Sequence, residues 1–65
     1  MFPDYQATIT LNNGKKYFSY DAPINLFNRQ MKGEIIEVYD KYFRLLGINP
    51  NEIFKITEFN YKRDV

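Results

Sequence analysis

The chain has 65 residues, contains neither Cys nor His, and carries a formal net charge of +1. A chain of this length can form one small domain, which we expect over residues 1–65. Without Cys or His, disulfides and the usual zinc ligands are excluded. The near-neutral charge argues against a strongly basic nucleic-acid binder and against a strongly acidic DNA mimic. No apolar run suits a signal peptide or membrane span, so we expect a soluble intracellular protein.

The first predicted element is a β-hairpin over residues 5–20. Asn13-Gly14 suits a two-residue type I′ turn, because both central positions of this turn need positive φ. The turn would place Ile9 opposite Phe18. One face of the hairpin would then be apolar and would consist of Ala7, Ile9, Leu11, Phe18 and Tyr20. The other face would carry Thr8, Thr10, Tyr17 and Ser19.

A short helix is expected next, over residues 22–32. Asp21 can cap this helix, and Pro23 suits its first turn. Gly33 weakens or ends it, since glycine is unfavourable in a helix interior. The sequence leaves open whether residues 22–46 form one kinked helix or two.

The clearest helical period runs from residue 34 to residue 46. At about 100° per residue, apolar side chains form one stripe, which consists of Ile35, Tyr39, Tyr42 and Leu46. Gly47 would cap this helix, and Pro50 would prevent its continuation. The apolar arc is wide for a helix that lies on a three-stranded sheet. We therefore expect part of it to face a second protein.

The last strand is predicted over residues 52–61, after a turn at Asn49-Pro50-Asn51. Both faces of this strand would carry apolar groups, with Phe54 and Ile56 on one and Ile53, Phe59 and Tyr61 on the other. Two explanations stay open: a β-bulge that re-aims the end of the strand, or burial of the second face by dimerisation or by a partner. The expected fold is α+β in the order β-β-α-β. It has a three-stranded antiparallel sheet, extended by dimerisation, with one long helix packed on one face.

The sequence offers no catalytic machinery. Ser19 is the only serine, and a nucleophile needs an adjacent base that a chain without His cannot easily supply. Glu34, Glu37 and Asp40 on the long helix could pair for acid–base work. However, Glu37 and Asp40 stand four residues before Lys41 and Arg44, which is the spacing of surface ion pairs. No phosphate-binding glycine loop or calcium loop occurs. We expect a protein that is not an enzyme and that uses no metal or cofactor.

Two basic segments with aromatic residues suggest nucleic-acid binding as an alternative. They are Lys15-Lys16-Tyr17 in the hairpin and Tyr61-Lys62-Arg63 near the C-terminus. Cations beside rings suit stacking on single strands, although lysines beside a turn also protect a sheet edge from aggregation. Because the net charge is small, the electrostatic contribution would be small as well. Direct nucleic-acid binding is therefore the less favoured hypothesis.

The hairpin and the C-terminal third of the chain carry a resemblance to a known family. The residues that align with it are Gly14-Lys15, Tyr17-Phe18, Tyr20, Tyr42, Leu45, Gly47, Glu52-Ile53 and Lys55. In this order and spacing, the chain resembles the small uracil-DNA glycosylase inhibitors of protein-primed Bacillus phages. The resemblance implies a homodimer with joined sheets that blocks the DNA-binding cleft of the host enzyme in the host cytoplasm. A module that binds another host protein stays open as a further hypothesis.

The resemblance also implies a partner-binding surface. An apolar pocket on the helices would capture the leucine-bearing loop of the enzyme, with Tyr42 (or Phe43, if the helix slips by one) and Leu46 in its walls. Acidic groups would stand in for DNA phosphates. The family's hairpin acid is Ser19 here, so the acids of the long helix would have to supply the charge. The whole predicted surface consists of Tyr42, Phe43, Leu46, Tyr39, Glu34, Glu37, Asp40 and Ser19.

Overall fold

A computed structural model describes residues 5–59 of the chain. This part of the chain contains five strands, one α-helix and one 3-10 turn. The strands are β1 (Ala7–Leu11), β2 (Lys16–Ser19), β3 (Ile36–Tyr39), β4 (Leu45–Ile48) and β5 (Ile53–Glu58). The helix α1 (Pro23–Met31) joins β2 to β3, and the 3-10 turn (Pro50–Glu52) precedes β5. The α+β class is confirmed, but the sheet has five strands where three were expected.

The sheet is antiparallel throughout, with the strand order β4-β3-β2-β1-β5. The first four strands form a meander that α1 interrupts, and β5 returns to pair with β1. The β1–β2 and β3–β4 hairpins meet along a short line, because β2 and β3 share the single residue pair Phe18–Tyr39. Beyond this pair the two hairpins diverge toward their turns.

The core lies between α1 and one face of the sheet, the core face. Cross-strand pairs such as Ile9–Ile56 and Ile36–Ile48 place both side chains on this face. Leu26 is the buried residue that α1 contributes. The buried apolar cluster consists of Ala7, Ile9, Leu11, Leu26, Ile36, Val38, Ile48, Ile53 and Ile56. Because each buried aliphatic side chain contributes about 1.5–3 kcal/mol, the strands supply most of the stabilisation.

The short helix predicted over residues 22–32 is confirmed as α1. Pro23 opens it, where the missing N–H of proline leaves no partner unsatisfied. The N-cap is Ala22, with no side-chain cap, so the predicted capping role of Asp21 is wrong. The helix ends at Met31, and Gly33, just after the C-cap Lys32, has a φ of +74° that turns the chain toward β3.

The helix predicted over residues 34–46 is wrong, because this segment forms β3, a turn and β4. Ile36 and Val38 are fully buried and alternate with the exposed Glu37 and the half-buried Tyr39. Isoleucine, valine and tyrosine fit a pleated sheet better than a helix. A short apolar run can satisfy both periods. Burial of Ile36 and Val38 opposite β4 favours the strand.

The β1–β2 hairpin is confirmed, but its register differs by one residue from the prediction. Ile9 lies opposite Tyr17, and the loop has three residues, 12–14, of which Gly14 adopts a φ of +89°. A shift of one residue moves every side chain of β2 to the other face. Tyr17 therefore packs against the core, whereas Phe18 and Tyr20 belong to the opposite, outer face of the sheet.

A β-bulge was one of two explanations left open for the last strand, and β5 does contain one, but at its start and not at its end. The pairing with β1 shifts between Thr10 and Leu11 and leaves Phe54 as an extra residue. Ile53 and Ile56, three positions apart, therefore both reach the core, while Phe54 is exposed. The predicted extension of this strand to residue 61 passes beyond the described residues.

Candidate functional site

The helical pocket that the resemblance implied is not formed in residues 5–59. Leu46 lies in β4 on the core face, whereas Tyr39 lies on the outer face, opposite Leu45. Tyr42 and Phe43 lie in the β3–β4 turn and are 64% and 63% exposed. Because neighbouring residues of a strand point to opposite faces, the expected helical stripe is divided between two surfaces.

The predicted acidic row is not formed either. Glu34 precedes β3 and Glu37 lies within it, and both are exposed. Asp40 is largely buried, and its carboxylate is occupied within the β3–β4 turn. Ser19 is buried too, and its Oγ accepts a hydrogen bond of 3.0 Å from the backbone N–H of Asp21. These residues therefore present no continuous acidic surface to a partner.

A groove of about 500 Å³ lies where the two hairpins diverge. One wall is Lys15 with the start of β2, and the other consists of Asp40, Lys41, Tyr42, Arg44 and Leu46. Tyr17 and Leu46, both half-buried against the core, contribute apolar lining. Phe18 and Tyr42 add two further rings. The groove brings the predicted basic segment Lys15-Lys16-Tyr17 against a turn that is distant in the sequence.

The lining of the groove is strongly positive. Four exposed cations lie along it, Lys15, Lys16, Lys41 and Arg44, against the single carboxylate of Asp40. This concentration occurs on a chain whose net charge is only +1. Nucleic-acid binding was disfavoured because the net charge of the chain is small. The electrostatic potential in the groove is more positive than that net charge suggests.

Asp40 organises the β3–β4 turn. Its Oδ1 accepts hydrogen bonds from the backbone N–H groups of Tyr42 (2.8 Å) and Arg44 (3.0 Å), and its Oδ2 accepts one from Arg44 Nε (2.7 Å). These contacts, led by the backbone N–H of Arg44, lower the pKa of Asp40 below its usual value. The predicted Asp40–Arg44 ion pair is confirmed, but it spans a turn and not a helical surface.

The ring of Tyr42 lies beside two cations and is largely exposed to solvent. Lys41 Nζ is 5.1 Å and Arg44 Cζ is 5.2 Å from its centroid. Both distances are within the range of cation–π attraction. Since Tyr42 is nonetheless mostly exposed, part of its ring is open to a ligand, with two positive groups at hand.

Phe43, which was predicted to lie in a helix, lies in the β3–β4 turn. It has a φ of +63° and is the one non-glycine residue among the described positions with positive φ. Its N–H donates to the carbonyl oxygen of Asp40 at 3.0 Å, which closes the turn. The helical period of residues 34–46 gave no signal for this conformation.

The outer face of the sheet carries a cluster of rings that consists of Tyr5, Phe18, Tyr20, Tyr39 and Phe59. Tyr5 lies at its centre, 4.9 Å from Phe18 and 5.0 Å from Tyr20 between ring centroids. The Tyr5 hydroxyl is buried and makes no hydrogen bond within residues 5–59. Burial raises its pKa, and the nearby phenol of Tyr20 raises it further. The chain thus covers part of its second face by itself.

No protein-family model, curated protein or solved structure matches this chain. In the described part of the chain, no cluster of acidic side chains is suited to hold a metal ion. The same residues include no helix long and apolar enough to cross a membrane. The second basic segment, Tyr61-Lys62-Arg63, lies outside the described residues. The groove is therefore the feature of the described residues from which a function can be argued.

Proposed function

We propose that the chain binds single-stranded nucleic acid in the groove between its two hairpins. The proposal depends on one observation: four cations and the exposed ring of Tyr42 meet in one groove, and its one carboxylate is already paired. This reverses the order of the two leading sequence hypotheses. A positive groove with a stacking ring is the usual combination for single strands without sequence preference.

The lysines of the groove are available to phosphates. Within residues 5–59, Lys15, Lys16 and Lys41 make no salt bridge, whereas Arg44 is held by Asp40. Each phosphate that a cation neutralises releases condensed counterions. The logarithm of the binding constant therefore falls linearly with the logarithm of the salt concentration, with a slope of about −0.7 per phosphate contact on a single strand. Three or four contacts predict a slope of about −2 to −3.

The exposed ring favours an unpaired strand over a duplex. In a duplex the faces of the bases are stacked on each other and cannot reach Tyr42, whereas bases of a single strand can stack on an aromatic side chain. The phosphates would follow the lysines while a base contacts the ring. We therefore expect binding to single-stranded DNA and RNA to exceed binding to duplexes of equal length.

Fluorescence anisotropy with labelled single-stranded and duplex oligonucleotides over a salt series tests the proposal. We expect single-strand binding with the slope given above, and a loss of about tenfold or more in the Lys16→Glu/Lys41→Glu double variant. Lys32→Glu, beyond the end of α1 and away from the groove, is the matched control and should change the affinity little. No binding by the wild type at high micromolar concentration would refute the proposal.

Inhibition of uracil-DNA glycosylase, which the residue-level resemblance implies, is the second candidate. The exposed apolar side chains of Tyr42, Phe43 and Leu45 favour a protein contact at the β3–β4 turn. Excision of uracil by a bacterial glycosylase should then stop in a stoichiometric excess of the chain, and complete excision would exclude this candidate. The homodimer stays a prediction as well, and a single species of 7.8 kDa in sedimentation would contradict it.

A further inference from the structure

The groove is too small to hold the whole strand that the proposed function requires. Its volume of about 500 Å³ is within the range of pockets for one small ligand. A single OB fold, for comparison, contacts about 4–16 nucleotides of a bound strand. Most of the strand would therefore lie outside the groove, and its path depends on which neighbouring surface attracts phosphates.

One surface beside the groove, on the outer face of the sheet, is unfavourable for phosphates. It is reached through the Phe18–Tyr39 pair and forms a recess lined by Tyr20 and Tyr39. The side chains of Asp21 and Glu37 line the same recess, and neither forms a salt bridge within residues 5–59. Because like charges repel, the two carboxylates direct a nucleic-acid backbone away from this recess.

In the other direction, three residues lie side by side across β2, β1 and β5. Lys16 pairs with Thr10, and Thr10 pairs with Lys55, so all three side chains share one face. It is the outer face, because Tyr17 and Ile56, which follow the two lysines, pack against the core. Both lysines are exposed, and neither forms a salt bridge within the described part of the chain. Two interstrand spacings place their Cα atoms about 10 Å apart.

We propose that a bound strand leaves the groove at Lys16 and crosses the outer face over Thr10 to Lys55, which contacts a phosphate. This inference rests on the proposed single-strand binding. Lys16 belongs to both surfaces, because it lines the groove and is the first residue of the row. Thr10 is short and uncharged, so no carboxylate competes for the two ammonium groups between them. The site therefore spans three strands of the sheet, and Lys55 is its far end.

The test compares Lys55→Gln with Lys16→Gln on oligothymidylates of about three and about ten nucleotides, with affinities measured by competition against a labelled longer strand. Lys16→Gln should weaken both, because Lys16 lines the groove that both strands occupy. Lys55→Gln should weaken the longer strand about fourfold at about 0.15 M salt, reduce the magnitude of its salt slope by about 0.7 and leave the shorter strand unchanged. Lys55→Arg keeps the charge and should retain binding. The matched control Lys32→Gln makes the same change of charge beyond the end of α1 and should change neither affinity.

The outcomes separate this inference from the function on which it rests. If the wild type binds neither strand, the proposed function fails and the inference fails with it. If the wild type binds and Lys55→Gln binds the longer strand equally well, the function stands and the inference is wrong. If Lys55→Gln weakens both lengths alike, Lys55 acts through the fold or the overall charge, which also contradicts the inference.

Discussion

The two loops that flank the groove, residues 12–14 and 41–43, share one backbone design and differ in what they place on it. In the first loop, the N–H of Leu11 donates to the carbonyl oxygen of Lys15 (2.8 Å), and the N–H of Gly14 donates to that of Leu11 (2.9 Å). In the second loop, the N–H of Asp40 donates to the carbonyl oxygen of Arg44 (3.1 Å), and the N–H of Phe43 donates to that of Asp40 (3.0 Å). The first loop has glycine at the third position, and the second has phenylalanine. The first sequence is therefore what the backbone requires, whereas the second includes a residue that the backbone only tolerates.

The loops also differ in the side chain that supports them. In the first, Asn13 Oδ1 accepts one hydrogen bond of 3.0 Å from the N–H of Lys15. In the second, the carboxylate of Asp40 accepts two backbone hydrogen bonds and pairs with Arg44. A charged acceptor binds more strongly than an amide. We infer that Asp40 offsets the strain at Phe43 and keeps its exposed ring in place.

The largest expected effect lies in the strand that leads to the second loop. Ile36→Ala should lower the free energy of unfolding by about 2–5 kcal/mol, because Ile36 is fully buried. Ile35→Ala should lower it by less than about 1 kcal/mol, because Ile35 is exposed. Urea unfolding of both variants measures the two values. The opposite order, with Ile35 more important, would favour the helical stripe that the sequence predicted.

Asp40→Asn makes the support of the second loop resemble that of the first. The folded-state pKa of Asp40 lies below 3.8, so its charge stabilises the fold above that pH, and the contribution is lost as the pH falls through the folded-state pKa. The variant should be less stable than the wild type near neutral pH. The difference in Tm should shrink as the pH falls below 3.8 and through the lowered folded-state pKa of Asp40. A difference that is independent of pH would show that the charge of Asp40 does not support the turn.

Gly14→Ala gives the first loop the strain that the second carries. A Cβ at this position would meet no atom within 4 Å, so the change isolates the effect of positive φ. We expect a loss of about 1–2 kcal/mol in the free energy of unfolding. Phe43→Ala keeps a Cβ at positive φ and should change stability by less than about 0.5 kcal/mol. Equal losses in the two loops would mean that the ring of Phe43 stabilises the fold.

The smallest expected effect is on the outer face, where the rings of the two hairpins meet. Tyr5→Phe removes a buried hydroxyl that has no hydrogen-bond partner within residues 5–59. The variant should be more stable by about 0.5–1 kcal/mol, since the desolvation of that hydroxyl is avoided. Thermal unfolding measures the change. A loss of stability would reveal a partner for the Tyr5 hydroxyl.

Local turn chemistry made several turns and element boundaries predictable. Asn12-Asn13-Gly14 indicates a hairpin loop, Pro23 marks the start of α1, and Asn49-Pro50-Asn51 marks the turn before β5. Each of these signals acts through the φ preferences or hydrogen bonds of adjacent residues. The register of the first hairpin was missed because asparagine and glycine suit both a two-residue and a three-residue loop. This shift of one residue in the register moved Tyr17 from the outer face to the core face of the sheet.

The sequence by itself determined the absence of Cys and His, the α+β class, the short helix and the presence of the first hairpin. Only the tertiary structure decided between helix and strand for residues 36–48, because that choice depends on burial of Ile36 and Val38 in a core whose other residues are distant in the chain. The tertiary structure also decided the site. Lys16 and Tyr42 line one groove only because the two hairpins join at Phe18 and Tyr39. No local sequence pattern predicts which distant residues will line the same groove.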